Sequence, residues 1–451
     1  MDLKKKISTL MVLLVIISIN GCGAHLAKRV ENNILEGKYN EALQAIEEGK
    51  QHYAGPNSLL YYLDRGALLQ RVGKYKESNQ ELHQAELLVE KLYGKSVTET
   101  AASLLANDTT MAYTGEDFEQ VMIHVIKELN YLYLQDKAGA LVEARKVNTR
   151  LLQVSDKYGK EAIYKEDAFA RYLAAFAYES DREYNSAYID YKKAYQVFKW
   201  YEKKYGFSIP YVIKQDLLRM SRWLGFTEEY TKWCKEFGQD IPKPTRRPQK
   251  REELLLIVYD GLIAKKETFY ITESITNPDG EPYLLRVALP VMKTKPNVVQ
   301  KVRLGSSEGK VYESELIEPL NTIALQNLGQ RIGLITAKAI ARATTKYLAS
   351  YALRKASEAA RKKSEKSNTA NVLGVMSLAA NIYGYASEQA DTRSWRTLPQ
   401  QFHILRVVLS PGKHELELRI VARGNEVRPG QKIRVELKEG EKKIMPLYVP
   451  N

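Results

Sequence analysis

One spacing restricts this chain more than any other feature. It reads small residue, any residue, tyrosine, two residues, Ala or Ser, three residues, a bulky side chain, two residues, small residue. It runs through Gly37, Tyr39, Ala42, Ile46 and Gly49, and again through Gly73, Tyr75, Ser78, Leu82 and Ala85. A third copy keeps Tyr184, Ala187, Tyr191 and Ala194, and a degraded one keeps Ala140, Ala144 and Val147. Gly66 precedes Gly73 by seven residues, and Ala175 precedes Arg182 by seven. Steps of three, four and seven put these positions on one helix face, as a packed helical hairpin requires. The copies start at positions 37, 73, 135 and 182, at intervals of 36, 62 and 47 residues.

These offsets resemble the tetratricopeptide repeat, whose small residues let two helices approach closely and whose tyrosines fill the space between them. The resemblance accounts for 30 Tyr against 9 Phe and 4 Trp. An ideal array repeats every 34 residues or so, so this one carries insertions, one of them at Asn107–Glu116. Stacked helical hairpins are expected from residue 30 to about 235, ending in a pair over Pro210–Phe237.

The amino terminus reads as an address. Lys4, Lys5 and Lys6 precede an apolar stretch from Leu10 to Ile19, and then comes Asn20-Gly21-Cys22. The stretch is shorter than the roughly 20 residues of a comfortable span. A small residue before a cysteine at this place resembles the lipobox of bacterial lipoproteins. The resemblance implies cleavage after residue 21 and acylation of Cys22, with palmitate among the acyl chains. No Asp follows the cysteine, so the outer membrane is expected rather than inner-membrane retention. The net charge of +14 becomes +12 once Asp2 and Lys4, Lys5 and Lys6 leave. The other cysteine, Cys234, has no neighbouring His and reads as packing.

Ile241–Arg251 holds three prolines and five basic residues, which stop helices and keep the segment solvated. Beyond it, Leu254–Tyr259 is a continuous apolar run, and further strands are read at Leu284–Val291, Asn297–Leu304, Phe402–Leu409 and around Leu416, Ile433 and Ile444. Short alternating strands with Pro-Gly turns predict a small β-sandwich. Between the strand sets a helix is expected from about Glu318 to Lys363. Arg331 to Lys366 holds ten basic residues against Glu358 and Glu365. On a helix, Arg331, Lys338, Arg342 and Lys346 fall within about 80° of one another, a candidate anion-binding face. Ser367–Ser387 carries no charge and is expected to pack back as a second helix, its small residues permitting close contact.

The fold class expected is α+β. Residues 1–21 are a signal peptide, 22–240 an α-solenoid of tetratricopeptide-like hairpins and 241–252 a linker. Residues 253–451 form a β-sandwich domain with a helical hairpin inserted at about 318–390. The linker is expected to separate two independently folded pieces.

The full order ends in Gln389-Ala-Asp-Thr-Arg-Ser-Trp-Arg-Thr-Leu-Pro399. It resembles a family of tetratricopeptide-containing lipoproteins of Gram-negative bacteria whose molecular function is uncharacterised. The resemblance associates the chain with lipoproteins resembling penicillin-binding-protein activators, beside which members of that family are often encoded. The resemblance implies a lipid-anchored outer-membrane protein facing the periplasm, in cell-envelope assembly or maintenance. Asp391, Arg393 and Trp395 form a candidate cluster, either a salt-bridged junction or a ligand site. No His-Glu-x-x-His, Gly-x-Ser-x-Gly or Gly-x-Gly-x-x-Gly occurs, and six scattered histidines suggest no metal site. No catalytic residue and no cofactor are therefore expected, and nucleic acid is not an expected partner. The leading reading is a non-enzymatic scaffold whose repeats hold a protein or peptide. Two alternatives stay open: a binder of peptidoglycan or anionic lipid through the basic helix, and a hydrolase whose site the sequence does not reveal.

Overall fold

The computed structural model describes residues 23–96, 108–158, 166–238, 252–276, 279–280, 282–297, 299–306, 309–363, 368–422 and 427–449. Cys22 and the linker up to Arg251 lie outside the described residues. The helices form antiparallel hairpins: α1 (23–35) with α2 (Tyr39–Glu48), α3 (Ser58–Arg71) with α4 (Tyr75–Ser96), and α5 (Asp117–Tyr133) with α6 (Lys137–Tyr158). Then come α7 (Ala168–Ser180) with α8 (Tyr184–Tyr205) and α9 (Tyr211–Trp223) with α10 (Thr227–Phe237). Each second helix also packs on the first helix of the next hairpin.

The sequence spacing explains the geometry. Every hairpin turn needs one residue in the left-handed region, held by Gly37, Gly73, Gln135, Arg182 and Gly225. The small positions lie where helices approach. A Cβ on Gly66 would sit 2.7 Å from Leu82 Cδ2, and Ser78 Oγ donates to the Gly66 carbonyl at 2.7 Å.

The strands are β1 (Glu252–Asp260), β2 (Lys265–Thr276), β3 (Pro282–Lys293), β4 (Val299–Gly305), β5 (Val311–Glu313) and β6 (Glu315–Glu318), followed by β7 (Gln401–Leu409), β8 (Gly412–Ala422), β9 (Val427–Leu437) and β10 (Lys442–Val449). One sheet has the order β10-β1-β7-β6, with β10 parallel to β1, and a second has β5-β4-β8-β9. Their facing side chains, including Leu254, Leu256, Val258, Val302, Leu405 and Leu418, form one core.

The other side of β1 presents Leu255, Ile257 and Tyr259 to the helices. This strand is buried on both faces, which is why its sequence is continuously apolar instead of alternating. The cluster containing these three residues runs unbroken through α3, α5, α7 and α9 to Ile404, Phe402 and Ile444. The expectation of two separable pieces is corrected here: the repeats and the first sheet share one hydrophobic core. A basic, proline-rich linker signals exposure of its own residues and says nothing about what its flanks bury.

Between β6 and β7, α11 (Leu320–Lys363) and α12 (Asn368–Ala386) form a long hairpin. Ser350 and Ser377 each donate to the other's carbonyl, at 3.3 and 3.0 Å, and Ser357 Oγ donates to the Ala370 carbonyl at 2.7 Å. The β2–β3 ribbon packs on α11 through Val287, Leu289, Ala339 and Ala343. β2 is a strand that the sequence reading did not include. Most of it is exposed, so it lacks the apolar run that marks β1.

Candidate functional site

The first helix of each hairpin lines the inner face of the array, the surface expected to hold a partner. In this chain that face is filled by the chain itself. Tyr133 and Tyr259 share a hydrogen bond of 3.0 Å, and Tyr448 donates to the Gln70 carbonyl at 3.2 Å. Phe169 of α7 packs on Phe402 of β7 with ring centroids 5.0 Å apart.

Charge holds the same seam. Glu179 of α7, Asp216 and Arg219 of α9, Glu253 of β1, Arg406 of β7 and Lys442 of β10 form a network of three acids and three bases, four of them buried and Arg406 and Lys442 partly so. Arg406 reaches Asp216 at 2.6 Å and Glu179 at 3.1 Å, and Lys442 reaches Glu253 at 3.2 Å. Tyr191 and Tyr172 add hydrogen bonds to Glu179 and Asp216 at 2.7 and 3.1 Å. Burial acts upward on Glu179, but Arg219, Arg406 and Lys442 outweigh it and hold the carboxyl well below its ordinary value. Burial lowers Lys442 despite its two carboxylates. A balanced buried network of this kind fixes how two elements dock.

The motif at Gln389–Pro399 enters the inner face between α3 and α5. Trp395 is fully buried; its backbone N–H donates to Glu119 at 2.8 Å and its indole N–H to Thr397 at 2.9 Å. Thr397 donates to Asp64 at 3.0 Å, and its carbonyl accepts from Arg71 at 3.2 Å. Arg393 pairs with Asp391 at 2.8 Å and donates to the Met111 carbonyl at 2.8 Å. Asp391, Arg393 and Trp395 are thus close along one extended segment, tied to the repeats.

Beside this segment lies a cleft of about 120 Å³, lined by Glu116, Lys266, Arg331, Lys338, Arg342 and Asp391 with Ala288, Pro290, Leu328 and Ile335. Its floor is the start of α5, where Glu116 and Glu119 form a capping box. Glu116 pairs with Lys266 at 2.5 Å and with Arg331. Glu119 accepts from Tyr113 at 2.6 Å and from the Glu116 amide at 3.1 Å. Burial, then the charge of Glu116, push Glu119 up to about 7.

The structure brings three of the four basic-face residues and Asp391 into this one cleft. It also corrects the exposure expected of them. Arg342 is only 4% exposed, Arg331 is committed to Glu116, and Lys346 pairs with Glu388 at 2.5 Å and Ser387 at 2.9 Å. Lys338, half-buried at the wall, makes no ion pair among the described residues. The helical wheel located the stripe correctly but could not say which side of α11 faces the protein. Glu116 is a cleft residue that sequence reading missed, although Glu-x-x-Glu ahead of an apolar run is a variant of the capping-box signature.

Among the described residues one group of potential metal ligands converges: Glu86, His124 and Glu143, all buried. Sequence reading missed it because the three come from separate helices. Its cation position is already taken. The Lys127 ammonium lies 2.7 Å from Glu86 and 2.9 Å from Glu143, and Lys146 reaches Glu86 at 2.7 Å. His124 Nδ1 lies 2.8 Å from Glu143. Burial acts upward on Glu86, but these lysines outweigh it and bring the group to about 2. The site is a buried ion cluster that does not fit a metal ion.

The fold and this seam define an α+β chain in which helical-hairpin repeats close around their own sheet. No protein-family model matches the chain. No curated protein matches it either. Solved structures that resemble it include the MamA protein, at 14% identity over 48% of this chain and 88% of that one, with a TM-score of 0.31. A MamA from AMB-1 resembles it at 13% identity over 49% of this chain and 96% of that one, with a TM-score of 0.29. A tetratricopeptide repeat protein from Parabacteroides merdae resembles it at 13% identity over 49% of this chain and 80% of that one, with a TM-score of 0.22.

Proposed function

We propose that this chain is a protein–protein interaction scaffold of the bacterial cell envelope, lipid-anchored at Cys22 to the outer membrane and facing the periplasm. The observation that supports a scaffold is the division of the repeats into two faces. The inner face is spent on the chain's own sheet. The second helices still expose large apolar side chains, among them Leu87, Val142, Leu152, Ile189 and Trp200. Ile189 and Trp200, eleven residues apart, fall within about 20° of one another on α8. The protein partner therefore docks on the outer surface of the array, and a penicillin-binding-protein activator is the first partner to test. The lipid anchor is supported by the lipobox residues alone.

A photo-crosslinker at Ile189 tests the scaffold in intact cells. It should capture one envelope protein, and Trp200→Asp should abolish the capture while a crosslinker at buried Tyr191 captures nothing. Mass spectrometry of the mature amino terminus tests the anchor separately. An unmodified Cys22, or cleavage elsewhere, refutes it.

A second reading has one specific observation in its favour. Lys338 lines the cleft with Arg331 and Arg342 and carries no ion pair among the described residues, so an anionic group of peptidoglycan could dock there. Lys338→Glu should then weaken co-sedimentation with purified peptidoglycan, most clearly at low salt.

A further inference from the structure

α11 is amphipathic in the reverse sense. From residue 333 to 352 its ten exposed positions carry no charge, while Lys338, Arg342 and Lys346 in the same stretch are half-buried or buried. Ile340 and Leu348 are 46% and 54% exposed. The helix beside it continues the pattern. α12 has no charged residue, and Val375 and Leu378 are 68% and 63% exposed, with Val372 and Met376 alongside. Solvated helices put charge outward and apolar groups inward, so a charge-free outer face with large aliphatic side chains marks a covered surface.

We propose that this outer face of the α11–α12 hairpin rests on an anionic phospholipid surface. Charge selects the occupant. The last turns of α11, where it leads toward α12, hold Arg361, Lys362 and Lys363 against Glu358. Two such hairpins repel each other where they would meet, whereas phosphate headgroups attract this end. No helix among the described residues is long and apolar enough to cross a membrane, so the contact is interfacial. The hairpin is braced for it from below. Arg286 of β3 stacks between Tyr270 of β2, at 3.6 Å, and Tyr385 of α12, at 4.6 Å. This surface is distinct from the basic stripe, which faces inward, and it does not require the acyl group at Cys22.

The test uses the mature chain secreted behind a non-lipoprotein leader with Cys22→Ser, so that no acyl chain contributes. It should co-sediment with vesicles of phosphatidylglycerol and phosphatidylethanolamine, far less with phosphatidylcholine alone, and elute as a monomer without vesicles. Val375→Asp with Leu378→Asp should lower partitioning by about tenfold or more, since buried apolar area sets interfacial affinity. Arg361→Glu with Lys362→Glu should weaken it and flatten its salt dependence. Binding unchanged by the aspartates, or absent in the parent chain, overturns the proposal. So does self-association of the parent that the aspartates dissolve, because the face then covers a second copy. Should the aspartate variant fail to fold, Met376→Cys in a Cys234→Ala background carries an environment-sensitive dye. A blue shift on anionic vesicles supports the contact, and no shift overturns it.

Discussion

Gln135 and Arg182 hold a backbone conformation that glycine holds at the other three hairpin turns, with φ of 63° and 65°. A side chain there costs about 1–2 kcal/mol, partly offset by the smaller entropy it loses on folding. Arg182→Gly should therefore raise stability by about 0.5–1 kcal/mol in urea unfolding, and Gly73→Ala should lower it by a similar amount. Gly66→Ala should lower it by about 1–3 kcal/mol, because its Cβ must displace Leu82 from a packed helix pair. Glu119 gives the fold a pH signature. Its folded value of about 7 lies above its ordinary 4.5, so it binds a proton more readily folded than unfolded. The stability it contributes is complete below pH 4.5 and is lost as pH rises through 7. Asp64, raised by burial to about 6, acts in the same direction. The melting temperature should fall between pH 5 and pH 8, and Glu119→Gln should flatten that fall while lowering stability throughout. A parent profile that rises over this range contradicts the assignment. The turn glycines and packing positions were legible as residues because a left-handed turn and a close approach admit few side chains. The acids were not, because each is buried under a segment far away in sequence: Trp395 lies 276 residues from Glu119, and Thr397 lies 333 residues from Asp64.

Among elements, those with a strong period declared themselves. The helices at Pro210–Phe237, Glu318–Lys363 and Ser367–Ser387 were read from sequence to within a few residues of α9, α10, α11 and α12. Periodicity fixes which residues share a face, not what the face meets. That is why α11 was read with its basic stripe in solvent when the stripe lies inward. The four-residue change Arg331, Lys338, Arg342 and Lys346 to Glu, harmless on an exposed face, is now expected to unfold the hairpin region. It removes the partners of Glu116 and Glu388 and adds carboxylates beside them. The seam network was invisible for the same reason. Arg406→Met should cost about 3–5 kcal/mol by leaving Glu179, Asp216 and Glu253 with fewer cations in a buried setting. A loss below about 1 kcal/mol would mean that the network is not buried as described.

Over the whole molecule, the repeats and the first sheet form one body. A repeat array normally offers its inner surface to partners, and here the chain supplies that occupant through β1, β7, β10 and the Gln389–Pro399 segment. The linker composition suggested two pieces because exposure of a segment and independence of its flanks look alike in sequence. The most direct measurement places a specific protease site between Pro242 and Lys250 and cuts the folded chain there. The two fragments should co-elute on size exclusion, unfold in a single transition, and separate only in denaturant. Fragments that elute apart without denaturant, each keeping a native circular-dichroism spectrum, would contradict a self-filled inner face.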